Sequence, residues 1–180
     1  MTSPVPGIEE SWSHAVAEIP GRGLDMRRQA SAAERASLAS TLEILAVDRL
    51  DVVYRIAQLG DGRYRLTGTI SADVSQACVV SLEPVPSTLE DRMDVEFRVS
   101  LPPPGDAEEE GELSALEADE IEPVENGRIA VGRIVLETLA AALPAYPRAP
   151  GAELEQHEAG PAEPGGGPFS ALAGWKPKQD

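Results

Sequence analysis

Residues 50–70 read LDVVYRIAQLGDGRYRLTGTI, and the fold class turns on them. Leu50, Val52, Tyr54 and Ile56 alternate with Asp51, Val53 and Arg55, the period of a strand with one face buried. Gly60-Asp61-Gly62 follows as a turn. Tyr64, Leu66, Gly68 and Ile70 then alternate with Arg63, Arg65, Thr67 and Thr69. Two such runs around a Gly-Asp-Gly turn predict an antiparallel hairpin, apolar on one face and basic on the other.

Working outward, the alternation continues. Residues 74–82 are expected to form a third strand, stopped by Pro84 and Pro86. Residues 92–99 alternate again, with Met93, Val95, Phe97 and Val99 inward. Upstream, residues 11–19 are read as a short first strand, broken by Pro20-Gly21. SAAERASLASTLEI (31–44) opens with Ser31-x-x-Glu34, the pattern of a capping box. Leu38, Leu42 and Leu45 give a helical stripe, so a helix is expected over 32–46. After the turn signal Asn126-Gly127, residues 128–143 carry Val135, Leu136, Leu139 and Leu143 at helical spacing, and Pro144 ends that second helix. The expectation is an α+β fold: an antiparallel sheet of about five strands with two main helices packed on it, outside which lie long acidic and Gly/Pro-rich loops.

The chain has 180 residues and is 42% hydrophobic, enough for one core. One domain over 1–158 is expected, with an acidic flexible loop at 102–125 inside it. A Gly/Pro linker over 159–168 and a short amphipathic tail over 169–180 follow. No apolar run is long enough to span a membrane, and MTSPVPGIEESW has no basic patch leading into an apolar stretch. A single cysteine suits a reducing, cytoplasmic setting.

The formal charge is −16, and residues 106–122 hold nine acids without a base. Such a field repels phosphate and favours a basic protein partner. Residues 22–65 run the other way, with eight arginines against six acids. Arg55, Arg63 and Arg65 on the hairpin therefore keep an alternative open, a contact with RNA. Tyr54 and Tyr64 fall on the opposite, core-facing phase and offer no stacking platform there.

Signatures of catalysis are missing. Cys78 is the only cysteine, and the two histidines, His14 and His157, give it no oriented base. One cysteine and two scattered histidines do not make a zinc site. No phosphate-cradling glycine motif precedes a helix. The reading is a non-enzyme without cofactor, metal or small-molecule substrate, in which Cys78 is a small buried residue. Two segments stand out as partner contacts. Phe169, Leu172 and Trp175 form an apolar face at the end of the linker. Tyr146 and Arg148 lie on a proline-flanked extended stretch. For each, packing against the protein's own domain is the competing reading.

The run QACVVSLEPV (76–85), with Cys78, Leu82, Glu83 and Pro84, resembles the central motif of the YceD family. RYRLTGTI (63–70), EPVENGR (122–128), LETLAAAL (136–143), PAYPRAPGA (144–152) and PFSALA (168–173) fall in the same order as in its alphaproteobacterial branch. The resemblance covers most of residues 11–176. It implies a role in accumulation of large-subunit ribosomal RNA, as an assembly factor that binds a ribosomal protein or large-subunit precursor. Many relatives carry C-x-x-C where this chain has Cys78-Val79-Val80-Ser81, and some have further cysteines where it has residues 144–151. If those cysteines bind metal in relatives, this chain has lost the site.

Overall fold

A computed structural model describes residues 7–99 and 121–153. Their elements are α1 (Ile8–Ser11), β1 (His14–Ala15), a 3-10 turn (Val16–Glu18), β2 (Leu24–Gln29), α2 (Ala32–Thr41), β3 (Ala46–Gly60), β4 (Arg63–Ala77), β5 (Pro84–Arg98), β6 (Ile121–Pro123), β7 (Arg128–Ile129) and α3 (Val131–Ala142). The expected α+β architecture is present: a five-stranded sheet in the order β2-β3-β4-β5-β6, with two main helices on one face. All its neighbours pair antiparallel except β5 and β6, which run parallel. A second, two-stranded sheet joins β1 to β7.

The hairpin at the centre forms as the alternation predicts. Asp61 and Gly62 both have positive φ, 52° and 71°, the backbone of a two-residue turn that matches strand twist. The inward residues Leu50, Val52, Tyr54 and Ile56 of β3 are buried with Leu66 and Ile70 of β4 and Met93, Val95 and Phe97 of β5. Leu38 of α2 and Val135 and Leu139 of α3 close the same core. Gly68 lies between Tyr54 and Met93 in register. A Cβ there would come within 2.6 Å of the Val53 carbonyl oxygen, so only glycine fits without a shift.

Several boundaries differ from expectation for physical reasons. Residues 11–19 are not one strand but the end of α1, a two-residue strand and a 3-10 turn. α2 begins with the full Ser31–Glu34 capping box. It stops at Thr41, because Glu43 turns left-handed at φ 53°. Leu45 therefore leaves the helical stripe and is 53% exposed. β2 carries its alternation in charged and polar residues, Asp25, Arg27 and Gln29 outward and Leu24 and Met26 inward, and so escapes a hydrophobic pattern. β4 runs unbroken through the stretch that looked like two strands.

Pro84 and Pro86 open β5 instead of ending its predecessor. Val99 N–H bonds back to Gly62, and the Arg98 carbonyl accepts from Val124 on the far side. By strand alternation the even-numbered residues of β5 thus point their backbone groups away from β4. Both prolines occupy such outward positions, where no ladder donor is lost.

The N-terminal segment is built into the body. Trp12 is buried, donates from Nε1 to Glu34 Oε1 at 2.8 Å, and carries the Arg28 guanidinium 5.4 Å above its ring. Gly132 lets α1 approach α3: its N–H bonds the Trp12 carbonyl, and a Cβ would sit 2.0 Å from the Ile8 carbonyl oxygen.

Candidate functional site: the Cys78 loop and the segment after α3

The loop between β4 and β5 folds around the cysteine sulfur. Cys78 N–H donates to the Glu83 carbonyl at 2.8 Å, and Leu82 N–H donates to the Cys78 carbonyl at 3.0 Å. The sulfur accepts N–H groups from Val80 and Ser81, each at 3.4 Å, and from Ala149 at 3.3 Å. Val79 N–H bonds the Pro147 carbonyl at 2.9 Å, and Gln76 Nε2 bonds the Pro144 carbonyl at 3.1 Å. Residues 76–83 thus clasp the stretch that follows α3. The structure joins two segments about seventy residues apart that the sequence singles out separately.

Cys78 is fully buried. The Ala149 N–H, then the Ser81 hydroxyl and N–H, favour the thiolate and lower its pKa from the usual 9.0 to about 6; burial opposes them, and the Val80 N–H adds a smaller push. The sulfur is a fastener, fully buried and bonded by backbone donors from both segments. Ser81 stands where a second thiol would be needed, and residues 144–151 supply none. Among the described residues no group of three or more His, Cys, Asp or Glu side chains stands close enough to hold a metal ion. The donor set around Cys78 therefore does not fit one.

The clasp presents large apolar groups outward among polar ones. Leu82 is 76% exposed and adopts a left-handed backbone, φ 61°, a conformation that costs a leucine free energy. Tyr146 is 81% exposed, and Val79 is also open. Arg148 and Glu83 are exposed beside them. Leu82 and Tyr146 are thus large apolar groups left in the open on the two halves of the clasp.

The other sequence-based candidates fall elsewhere. Phe169, Leu172, Trp175 and His157 lie outside the described residues. Arg55 pairs with Asp25 and donates to the Arg22 carbonyl. Arg65 forms a two-pronged contact with Asp94 at 2.6 and 2.8 Å. Arg63 makes no ion pair among the described residues. The hairpin face thus has two of its three guanidiniums committed to carboxylates, which weakens its pull on phosphate. His14 is half-buried, with its Nε2 2.7 Å from the Tyr54 hydroxyl. Burial first, then the charges of Arg28 and Arg128, lower the pKa of this imidazole, and burial raises that of the phenol. A neutral pair of this kind latches β1 to the core.

The YceD family model, described as large ribosomal RNA subunit accumulation protein YceD, matches residues 66–172, more than half of the chain. The chain belongs to the YceD family. That membership carries a role in accumulation of large-subunit ribosomal RNA. The YceD match takes in both halves of the clasp, Cys78 to Pro84 and residues 144–149. No curated protein and no solved structure matches the chain significantly. Sequence reasoning named Leu82 as part of the family motif but missed its left-handed, exposed conformation, and it missed Val79 and the Ala149 contact. The only local signal was the Cys-x-x-Ser spacing, which is compatible with N–H···S turns.

Proposed function

We propose that this protein is a non-catalytic assembly factor of the large ribosomal subunit, acting in the cytoplasm. It engages a basic ribosomal protein or a precursor particle through the Cys78 loop and the segment after α3. The observation that carries this reading is the exposed pair Leu82 and Tyr146, presented by the clasp inside the family-matched region. A chain of formal charge −16 attracts a basic partner over distance, and the apolar pair then fixes the contact. Arg148 and the tail residues Phe169, Leu172 and Trp175 are further contacts within this proposal.

The test is sedimentation of a lysate on sucrose gradients, comparing wild type with a Leu82→Asn, Tyr146→Ala double variant. Asparagine tolerates the left-handed backbone that Leu82 holds, so the variant keeps its melting temperature. Wild type is expected to travel with large-subunit precursors at low salt, and the variant to stay at the top. Equal co-sedimentation of the two would show that this surface is not the contact.

A further inference from the structure

The two long edges of the sheet are treated differently. On β5, Pro84 and Pro86 remove two outward donors, the Asp91 carboxylate accepts the outward Arg92 N–H at 2.7 Å, and β6 covers the end from Glu96 to Arg98. These are devices that block strand addition. β2 has none of them. It contains no proline, it pairs with β3 without a register shift, and no described backbone group other than those of β3 bonds it. Ala30 N–H bonds the Leu50 carbonyl of β3, whereas Gly23 N–H bonds Pro20. Alternation then points the backbone groups of Asp25, Arg27 and Gln29 toward the open edge.

From this we infer that β2 pairs antiparallel with β2 of a second copy of this chain, with Asp25 of each copy opposite Arg27 of the other. A two-fold axis through Met26 places Met26 on Met26 and Leu24 on Arg28, keeping inward faces together. It sets two opposite-charge pairs on the outer face. Arg27 is exposed and has no side-chain partner among the described residues, and Asp25 accepts from Arg55 through Oδ2 only. Shifting the register by one residue per strand, while keeping the faces, puts Asp25 on Asp25 or Arg27 on Arg27. Like charges directly opposite disfavour both alternatives. The charge pattern thus selects one register and one partner, an isologous contact. This edge is remote from the Cys78 clasp, and the inference stands without the proposed function.

Sedimentation velocity of the full chain over the micromolar range tests it. Wild type is expected to associate with rising concentration to twice the chain mass. Arg27→Asp is expected to weaken that association about tenfold or more, with unchanged circular dichroism and melting temperature. Asp25→Arg is expected to weaken the association likewise, with circular dichroism unchanged and the melting temperature somewhat lower through loss of the Arg55 pair. An equimolar mixture of the two variants should recover the dimer, because each then offers the charges the other lacks. A wild-type monomer throughout the range would overturn the inference. So would a dimer indifferent to Arg27→Asp, or a mixture of the variants that stays monomeric.

Discussion

Cys78 shows how one residue type changes role with its surroundings. Three backbone N–H groups reach its sulfur from both sides of the clasp. Its thiol titrates near 6 in the folded chain against a usual 9.0. A group whose folded pKa is depressed stabilises fully above the unfolded value, and loses that stabilisation as pH falls through the folded one. The urea midpoint of wild type should therefore rise relative to Cys78→Ala between about pH 6 and about pH 9. Parallel midpoint curves for the two proteins would show that the sulfur stays a thiol. The sequence marks Cys78 as buried, and it is. It gives no sign of the Ala149 donor, because a bond from backbone to sulfur across a long stretch of chain leaves no local pattern. Arg55 and Arg65 were hidden in a similar way. Their alternation places them on the outer face, but only the register of neighbouring strands brings Asp25 opposite Arg55 and Asp94 diagonal to Arg65.

The strands divide into those that hydrophobic alternation reveals and those it does not. β3 and β4 announce themselves, because each buries one apolar face beside a turn of positive φ. β2 is concealed by charge. In β5 the alternation reveals the second half, from Arg92 on, while the first half is concealed by prolines, which mark its start and its unpaired side and do not interrupt it. The same prolines make a prediction. Replacing Pro84 and Pro86 with Val, and Asp91 with Val, restores outward donors and removes the carboxylate that occupies one of them. The variant should keep its fold yet aggregate faster on warming, as followed by light scattering. If scattering matches wild type, some other feature guards that edge.

For the molecule as a whole, family match and folding unit do not coincide. The match begins at residue 66, inside β4. Leu50, Val52, Tyr54 and Ile56 of β3, together with Trp12 and Leu38, come from before that point and fill the core. Without them β4 loses its partner on one side, and the inner faces of β4, β5 and α3 meet water. A fragment beginning at residue 66 should show no cooperative thermal unfolding by circular dichroism, while the full chain does. A sharp transition in the fragment would mean that α3 and two strands suffice.

The parallel pairing of β5 with β6 has a practical side. Glu96 and Arg98 lie in register with Ile121 and Pro123, so the chain leaves the sheet and re-enters it at one corner. Doubling the length of a loop adds only about 0.6 kcal/mol of closure cost as a general rule. A gene can gain or lose codons there with little effect on folding. An experimenter can graft a fluorescent reporter at the same corner and watch the protein in living cells.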